Sequence, residues 1–570
     1  MTGRPETAAT SAIREVRDFL LEHRLDYDAT ITGFKWPELA EFNFAIEWFD
    51  VVAAEHPDRA AVTIVSADLL TQSWSYAELS RRSDQVANWL RLLGLGRGSK
   101  VIVMLNNTIE LWEIVLAIYK IGAVAIPTST LLAAADLAYR VEHSEASAAV
   151  APTSLHARLD TLPAEVLRIG VGSDTPPGWV SMEESKRASD KFTPDGPTAA
   201  GDLSLLYFTS GTTSRPKLVR HTQVSYPVGH LSTMWWLGVQ PGDVHLNISS
   251  PGWGKHAWSN FFAPFLAQAT VFVFNYDRFD AATLMKVMDT HQVTTFCAPP
   301  TVWRMLIQAD LTGLSHPPRE LLGAGEPLNP EVISKVRAAW GGTIRDGFGQ
   351  TEMTCCVGNS PGQPVLDGSM GRPMPGYPVV LLDPVTGEHS FVEGEICLDL
   401  SQPILGLMDG YHNDEEMTAQ ACRNGFYHTG DIASIDANGY LTYIGRADDV
   451  FKASDYKISP FELESILLEH PYVTEVAIVP SPDPLRAAVP KAFVCLVTDA
   501  TTRPHDAARE IFEHARNRLS AYQRVKIMEF VTELPKTISG KIRRVELRQR
   551  EAERVAAEDQ AGQFLERDYR

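Results

Sequence analysis

The chain has 570 residues, of which 44% are hydrophobic and 21% are charged, and its formal net charge is −20. This length exceeds what one hydrophobic core supports, so at least two domains are expected. The acidic balance argues against general binding of nucleic acids or of anionic membrane surfaces, which depends on basic patches, but it leaves room for a local basic pocket. The most apolar window, Leu111–Thr128, contains Glu113 and Lys120 and breaks at Pro127, so no membrane span is expected.

The cysteine pattern indicates a reducing compartment. The six cysteines, at positions 297, 355, 356, 397, 422 and 495, form no CxxC pair and show no metal-ligand spacing. In a chain of this size they are interpreted as reduced thiols. The N-terminal segment MTGRPETAATSAIREVRDFL has no apolar signal core. We therefore expect a cytoplasmic protein.

Helical and strand patterns alternate from Asn43 to about Ala149. The spacing of apolar residues predicts, in chain order, a helix over Tyr76–Leu93, a strand over Lys100–Leu105, a helix over Thr108–Ile121 and a strand over Ala123–Pro127. This alternation indicates βαβ units and a mostly parallel sheet, which places ligands at the carboxyl ends of its strands. The segment Gly172–Ala200 is rich in Gly, Pro, Ser and Asp and is predicted to be a loop.

A polar loop follows the apolar run Leu205–Phe208, which predicts a buried strand. The loop contains the hydroxyl, glycine and cationic residues Thr209, Ser210, Gly211, Thr212, Thr213, Arg215 and Lys217. Hydroxyls and backbone N–H groups on a tight glycine turn can form a concave surface for phosphate oxygens, and the cations add favourable charge. Taken alone, the loop is more typical of a polar surface turn, and it does not match the GxxxxGK[ST] phosphate-binding motif.

Aromatic residues crowd the segment Ser249–Phe265, and two more tryptophans, Trp235 and Trp236, lie upstream. Such density is typical of a core, but it also fits the wall of a pocket for a compact or aromatic substrate. The residues predicted for such a wall are Trp253, His256 and Trp258.

Later polar segments offer groups that suit a nucleotide. The segment DGFGQTEMT, Asp346–Thr354, contains Phe348 between two glycines, where its ring can stack on a flat base. Thr351 and Glu352 offer a hydroxyl for a phosphate and a carboxylate for Mg²⁺, a cation that prefers oxygen ligands. The segment YHTGD ends in Asp431, which can hold vicinal hydroxyls, and a hairpin turn is predicted soon after it in the chain.

The sequence pattern changes after the segment GRADD. About 120 residues remain, which is the size of a small α+β domain. We therefore predict one domain over residues 1–447 and a second over 448–570. The predicted elements of the second are strands around Val476–Val479 and Ala492–Val497, a helix over Ala507–Leu519 and a last strand near Val525–Val531. The chain closes on LPKTISGKIRR, which contains Lys541.

In this order, the segments TSGTTSRPK, GAGEP, GFGQTE, YHTGD, GRADD and PKTISGK resemble the adenylate-forming superfamily of acyl-CoA synthetases, peptide-synthetase adenylation domains and luciferases. The resemblance covers roughly residues 40–550, and PKLVRHT and GFGQTE are similar to the versions in bacterial acetyl- and medium-chain acyl-CoA synthetases. It implies an α/β fold: a large N-terminal domain of mostly parallel sheets flanked by helices, with a small β subdomain, and a small mobile α+β C-terminal domain. The implied reaction uses ATP and Mg²⁺ to convert a small-molecule acid into an acyl adenylate with release of pyrophosphate, and then transfers the acyl group to CoA with release of AMP.

The resemblance also implies roles for matching residues. The β- and γ-phosphates would bind Thr209, Ser210, Gly211, Thr212, Thr213 and Lys217, and the rest of the nucleotide would bind Gly325, Glu326, Pro327, Asp346, Gly347, Phe348, Gly349 and Gln350, with Asp431 and Arg446 at the ribose. Thr351 would contact the α-phosphate, Glu352 would bind Mg²⁺ and Asp448 would be a hinge. Lys541 would be the catalytic lysine, because a carboxylate that attacks a phosphate is an anion approaching an anion, and a mobile ammonium offsets that repulsion.

The sequence departs from the family pattern at two sites. Ser214 and Leu218 stand where glycine is usual in the phosphate loop. After the hinge, Asp455 stands where many relatives have glycine and Lys457 where they have arginine. Because that glycine lies along the pantetheine tunnel of those relatives, the predicted acceptor tunnel comprises Asp455, Tyr456 and Lys457.

The carboxylate of Asp455 motivates an alternative, in which the acceptor is an amine or a carrier protein, or the activated oxyanion is not a carboxylate but, for example, nitrite. A non-catalytic binding homologue is a third hypothesis, and the presence of Glu352, Asp431, Arg446 and Lys541 argues against it.

Overall fold

The computed structural model describes residues 6–209, 216–325, 328, 330–453, 456–483, 486–497, 500, 503–536, 541–557 and 559–569. The chain divides into two compact units. The first comprises Met1–Val379, Leu398–Tyr427 and Ala437–Leu441, and the second comprises Val380–Cys397, His428–Asp436 and Thr442–Arg570.

The first unit is built on two mostly parallel sheets flanked by helices. Its strands are β1 (Ala60–Val65), β2 (Thr71–Ser75), β3 (Lys100–Val103), β4 (Val124–Pro127), β5 (Ala148–Pro152), β6 (Leu167–Val171), β7 (Val180–Ser181), β8 (Leu203–Thr209), β9 (Lys217–Thr222), β10 (Val244–Asn247), β11 (Thr270–Phe274), β12 (Thr295–Ala298), β13 (Glu320–Ala324), β14 (Ile344–Phe348), β15 (Val357–Gly358) and β16 (Ser369–Pro373). One sheet has seven strands in the order β7-β6-β5-β3-β4-β8-β9, and only the β8–β9 pair is antiparallel. The other contains β2-β1-β11-β10-β12-β13-β14-β15-β16 in that order, parallel from β1 to β14.

Helices cover these sheets because the crossover between parallel strands needs a long connection. The α-helices of the first unit are Ala8–Glu22, Tyr27–Gly33, Asp50–Glu55, Tyr76–Leu92, Ile109–Lys120, Ala134–Ser144, His156–Leu159, His230–Leu237, Gly254–Ala257, Ala263–Leu266, Ala281–Thr290, Pro300–Leu306, Pro330–Trp340 and Glu415–Ala421. Two π-helical segments, Phe44–Phe49 and Trp258–Phe262, and three 3₁₀ segments, Thr153–Leu155, Met182–Arg187 and Leu311–Gly313, complete the described helical residues of this unit. Their apolar faces bury cores such as that around Phe296 and Trp303.

The second unit contains a small β subdomain and a C-terminal α+β part. The subdomain strands are β17 (Val379–Leu382), β18 (Glu393–Asp399), β20 (Phe426–Ile435) and β21 (Leu441–Arg446), in that order in the sheet, and β19 (Cys422–Arg423) pairs with β20. The C-terminal part has the hairpin β22 (Phe451–Ala453) and β23 (Tyr456–Ile458), the four-stranded sheet β24 (Val473–Asp483), β25 (Ala487–Leu496), β26 (Ile527–Phe530) and β27 (Gln563–Leu565), the helices Pro460–Leu468, Pro504–Arg518 and Arg544–Ala556, and the 3₁₀ segment Glu566–Tyr569.

The predicted fold class is confirmed, and the predicted early elements match within a few residues. The helix Tyr76–Leu92 begins with a capping box, in which the Ser75 side chain accepts from the Glu78 N–H and the Glu78 carboxylate accepts from the Ser75 N–H. No described helix is both long and apolar enough to cross a membrane.

Two expectations about secondary structure were wrong. The predicted loop Gly172–Ala200 contains the short strand β7 and the 3₁₀ segment Met182–Arg187. The strand near Val525–Val531 is not the last, because a helix and β27 follow it. The buried residues of that helix, Arg544–Ala556, are Leu547 and the charged Glu551, so its apolar pattern is too weak to predict a helix.

Candidate active site

The predicted phosphate loop joins two antiparallel strands of the first unit. Thr209 ends β8 and Lys217 begins β9, and the two residues are paired in the ladder. Ser210, Gly211, Thr212 and Thr213 lie outside the described residues, within the gap 210–215. The strand β9 continues to Thr222 and carries the loop's end into the core of the unit.

A short segment around Tyr411 clamps β9 from its other side. The Arg220 N–H donates to the Gly410 carbonyl at 2.9 Å, the Asp409 N–H donates to the Arg220 carbonyl at 3.0 Å, and the His412 N–H donates to the Leu218 carbonyl at 2.7 Å. The Nζ of Lys217 lies 5.0 Å from the centre of the Tyr411 ring, within the range of a cation–π contact. Lys217 is therefore held by backbone pairing on both sides of its strand.

Tyr411 also reaches the predicted magnesium carboxylate. Its hydroxyl donates to Oε1 of Glu352 at 2.9 Å, and burial, together with that carboxylate, raises the pKa of Tyr411 far above its usual value. The phenol therefore stays protonated as a donor. The Glu352 carbonyl accepts from the Met408 N–H at 2.7 Å, so side chain and backbone both fix this turn. The sequence reasoning missed Tyr411, whose only signal was an aromatic residue in the polar run DGYHND.

A buried histidine holds the neighbouring Thr351. Nε2 of His221 is 2.7 Å from the Thr351 carbonyl oxygen, and Nδ1 is 3.2 Å from the Ser225 hydroxyl. Burial lowers the pKa of His221 to about 4, so the ring is neutral at pH 7. Because the Ser225 hydroxyl accepts from the Thr222 N–H at 2.8 Å, it is free to donate to Nδ1, which leaves the Nε2–H to donate to Thr351. His221, in β9, thus links the strand of the phosphate loop to the Thr351–Glu352 turn.

The glycines around Phe348 make room for two tryptophans. A Cβ on Gly347 would lie 2.4 Å from the Trp236 ring, and one on Gly349 would lie 2.4 Å from both the Trp258 ring and the Thr354 carbonyl. The indole rings of Trp236 and Trp258 therefore occupy the space beside these two glycines. Stacking of Phe348 on a base stays a prediction.

Asp346 is a buried carboxyl in the middle of β14. Its Oδ1 accepts from the Gly347 N–H at 2.9 Å and its Oδ2 from the Leu328 N–H at 3.4 Å. Burial raises the pKa of Asp346 to about 7 in spite of these hydrogen bonds. On the neighbouring β13, Gly325 follows the strand with φ +110°, a conformation that favours glycine, while Glu326 and Pro327 lie outside the described residues.

The aromatic segment packs beside the same turn. A Cβ on Gly254 would lie 3.1 Å from the Tyr226 hydroxyl and 3.4 Å from Oγ1 of Thr351, so Gly254 is in close contact with both side chains. Trp258 is buried and donates through Nε1 to the Tyr226 hydroxyl at 2.7 Å, whereas Trp253 is half-buried.

The environment of His256 does not suit a general base. Its Nε2 lies 2.9 Å from Oδ1 of Asn107, and burial lowers its pKa to about 3. The imidazole is therefore neutral and engaged with an amide at pH 7. This suits a pocket wall better than a general base.

The second unit contains the predicted ribose residues. Asp431 is buried in β20 and accepts from the Tyr443 hydroxyl at 3.0 Å and from Arg446 at 3.2 Å. Burial lowers the pKa of Arg446, but the carboxylates of Asp431 and Asp448 outweigh it and raise the net value. Nε of Arg446 lies 3.5 Å from Oδ1 of Asp448, so the predicted hinge residue is joined to the ribose pair.

Lys541 is exposed in this unit. An isolated bridge pairs Lys536 with Ile542, and the Arg543 N–H donates to the Pro535 carbonyl at 2.8 Å, just before the helix Arg544–Ala556. Asp455 lies outside the described residues. Tyr456 and Lys457 form β23 through their backbones, opposite Ala453 and Lys452.

Comparison with known proteins identifies the class. Residues 49–412 match the model of the AMP-binding enzyme family, and residues 462–541 match that of the AMP-binding enzyme C-terminal domain. The chain is 41% identical over 529 residues to 4-hydroxybutyrate–CoA ligase 1 of Metallosphaera sedula, covering 91% of this chain and 92% of the relative. It is 36% identical over 543 residues to human mitochondrial acyl-coenzyme A synthetase ACSM3, covering 92% of each chain. The crystal structure of the anthranilate CoA ligase AuaEII with anthranoyl-AMP superposes with a TM-score of 0.79 at 25% identity, over 93% of this chain and all of that one.

The chain belongs to the AMP-binding enzyme family. It is an AMP-forming acyl-CoA synthetase, which uses ATP and Mg²⁺ to make an acyl adenylate and transfers the acyl group to CoA. The predicted family, reaction and co-substrates are therefore confirmed. CoA is the acyl acceptor, in preference to the amine, carrier-protein and nitrite alternatives. The bacterial branch stays a prediction.

Proposed function

We propose that this synthetase divides its chemistry between its two units. In the first, the Thr209–Lys217 loop holds the β- and γ-phosphates of ATP, and Thr351 and Glu352 face the α-phosphate and Mg²⁺. The observation that carries this proposal is the contact of Tyr411 with both Lys217 and Glu352, which brings the loop's cation and the carboxylate to one phenol. The His221 contact brings Thr351 to the same strand.

The donor set around Glu352 fits Mg²⁺. This cation takes one or two protein carboxylates and completes its shell with phosphate and water oxygens. Glu352 is held by a neutral phenol rather than by a cation, so its negative charge is not offset by an ion pair through that contact. When bound, Mg²⁺ neutralises phosphate charge. Glu352 would hold it and Tyr411 would orient Glu352.

In the second unit we propose that Asp431 and Arg446 bind the ribose hydroxyls and that Lys541 bridges the acid's carboxylate and the α-phosphate. Its exposed position supports this role, because a side chain at the surface can reach a bound ligand. We propose Asp448 as the hinge and domains over residues 1–447 and 448–570. The ion pair of Asp448 with Arg446 supports a hinge that is coupled to the nucleotide.

A cavity in the second unit supports a place for the phosphates of CoA. It has a volume of about 350 Å³, and Arg486, Lys526 and Tyr522 are among its lining residues. Two cations and a phenol suit phosphate oxygens. Ala453, which shortly precedes the proposed acceptor-tunnel residues in the sequence, also lines the cavity.

Measuring the two half-reactions separately distinguishes a role of this cavity in CoA binding from a role in adenylation. We expect Arg486→Ala to raise the KM for CoA about tenfold, the effect of losing one hydrogen bond to a charged group, while acid-dependent ATP–pyrophosphate exchange stays unchanged. Arg503→Ala is the control, because Arg503 does not line the cavity. Equal losses in both half-reactions would contradict a CoA role for Arg486.

We further propose a short acid as substrate, and 4-hydroxybutyrate is the first to test, since a relative with 41% identity is named for it. The packing of Gly254 against Tyr226 and Thr351, with Trp258 behind, supports a compact pocket. The cytoplasm is the proposed location, supported by six free cysteines, and fractionation of cells would test it.

The deciding experiment measures pyrophosphate release with 4-hydroxybutyrate, butyrate, hexanoate and benzoate, each with and without CoA, and detects thioester by mass spectrometry. We expect the highest kcat/KM for one of the two C4 acids and thioester only when CoA is present. Adenylate without thioester would overturn CoA as acceptor, and a preference for benzoate or hexanoate would overturn the short acid.

A further inference from the structure

A thiol, an imidazole and a carboxylate meet inside the β subdomain of the second unit. They belong to Cys397, His428 and Glu395. Glu395 and Cys397 are two residues apart on β18, so their side chains lie on the same face of the sheet, and His428 lies on the neighbouring strand β20. The side chains of Glu395 and His428 are 7% and 8% exposed, and Cys397 is fully buried. None of the three has a role in the proposed reaction.

From this cluster, we infer a binding site for a thiophilic divalent cation of the zinc class. Zn²⁺ is bound in proteins by cysteine sulfur, histidine nitrogen and carboxylate oxygen, which is the set present here. Nδ1 of His428 lies 2.8 Å from Oε2 of Glu395 and 3.4 Å from Sγ of Cys397, and one ligand atom from each residue lies within 4.8 Å of the others. Around a tetrahedral zinc ion, ligand atoms are about 3.3–3.7 Å apart. The distance from Nδ1 to Sγ is already in this range, and Nδ1 and Oε2 need to separate by about half an ångström.

The surroundings of the three side chains favour this small adjustment. Oε1 of Glu395 accepts from the Gly430 N–H at 2.9 Å, which orients the carboxylate and leaves Oε2 toward His428. The Nε2 of His428 is buried and has no hydrogen-bond partner, so no bond on the far side of the ring opposes its movement. On binding, Sγ, Nδ1 and Oε2 form bonds to the cation, the thiol proton leaves to solvent, the imidazole keeps one proton, on Nε2, and no electron is transferred.

The site differs in chemistry from the proposed Mg²⁺ site. Glu352 offers a hard oxygen among phosphates, whereas Cys397 offers a soft sulfur, which Mg²⁺ does not select. Excess Mg²⁺ therefore occupies the proposed site at Glu352 and leaves the cluster at Cys397 open to a thiophilic cation. This difference makes the inference independent of the proposed function.

Cobalt(II) tests the site, since it replaces zinc and absorbs visible light. Full-length protein without a histidine tag or nucleotide is titrated with Co²⁺ in excess Mg²⁺ under reducing, oxygen-free conditions. We expect one Co²⁺ per chain with visible tetrahedral bands and a near-ultraviolet thiolate-to-cobalt band. In Cys397→Ser and His428→Gln the affinity should fall at least about tenfold, with the thiolate band lost in Cys397→Ser. Cys422→Ser should bind like the parent, because Cys422 is outside the cluster.

Two outcomes would overturn the inference. One is the absence of a thiolate band in the parent protein, which needs no variant and does not depend on how any variant folds. The other is a band of parental strength in Cys397→Ser. Thermal unfolding without metal shows whether each variant is folded, and Glu395→Gln, which keeps the side-chain shape, replaces a variant that is not.

Discussion

The Thr351–Glu352 turn of the first unit and Lys541 of the second differ in their environments: the turn is held by buried side chains, whereas the lysine is exposed. The turn is held by uncharged groups, the neutral His221 and the phenol of Tyr411, both largely removed from water. Lys541 is exposed, and the neighbouring Ile542 forms an isolated backbone bridge with Lys536. The turn is organised before substrate arrives, whereas the lysine is accessible to solvent. We therefore expect mutations in the turn to affect stability and activity together, and mutation of the lysine to affect activity alone.

The largest expected effect comes from the lysine. Lys541→Ala should lower acid-dependent ATP–pyrophosphate exchange by about 10²–10³-fold, the usual effect of removing one group that stabilises transition-state charge. Its thermal unfolding should match that of the parent, because the residue is exposed. Lys536→Ala is a control close by in the chain, because Lys536 forms an ion pair with Glu475 and has no proposed role in the reaction. Exchange at the parental rate in Lys541→Ala would contradict a catalytic role for this lysine in adenylation.

A pH dependence of stability is expected from Asp346. Its folded-state pKa of about 7 lies above the ordinary value near 4, so the folded state keeps a proton that the unfolded state loses. This contribution is fully present below about pH 4 and is lost as pH rises toward 7, at a rate of about 1 kcal/mol per pH unit. Asp346→Asn should remove that slope. Urea unfolding of both proteins between pH 5 and 8 measures it, and parallel curves would contradict the raised pKa.

A smaller effect on both stability and activity is expected for the histidine. His221→Ala leaves the buried Thr351 carbonyl without its donor, which should lower the free energy of unfolding by about 1–3 kcal/mol. It should also lower kcat more than it raises the KM for the acid. His221→Gln can donate again and should restore part of kcat. If Ala and Gln variants have equal kcat values, the donor role of His221 is wrong.

The smallest effect is expected for Tyr411, which contacts both Lys217 and Glu352. Tyr411→Phe keeps the ring beside Lys217 and removes the hydroxyl that donates to Glu352. We expect transition-state stabilisation to fall by about 1 kcal/mol, which lowers kcat/KM about fivefold. The concentration of Mg²⁺ that gives half-maximal exchange should rise. An unchanged Mg²⁺ requirement would argue against Tyr411 as the residue that orients Glu352.

The sequence predicts best what depends on local pattern. The helix Tyr76–Leu92 and the strand β3 follow from apolar spacing and capping, and the ordered motifs led to the correct family. His221 and Tyr411 escaped prediction because their partners are distant in the chain, 130 residues for His221 to Thr351 and 59 for Tyr411 to Glu352. Likewise, the glycines beside Phe348 gave no hint of Trp236 and Trp258, since their packing depends on tertiary contacts.

The pairing of β9 on both sides has a consequence for how this enzyme can diverge. Lys217 begins a strand that is paired with β8 on one side and, from Leu218 onward, with the segment 409–412 on the other. Backbone hydrogen bonds do not depend on which side chains the paired residues carry, so side chains in β9 can be exchanged without removing this pairing. A diverging lineage can therefore change the side chains along the strand while the backbone that carries Lys217 keeps its partners.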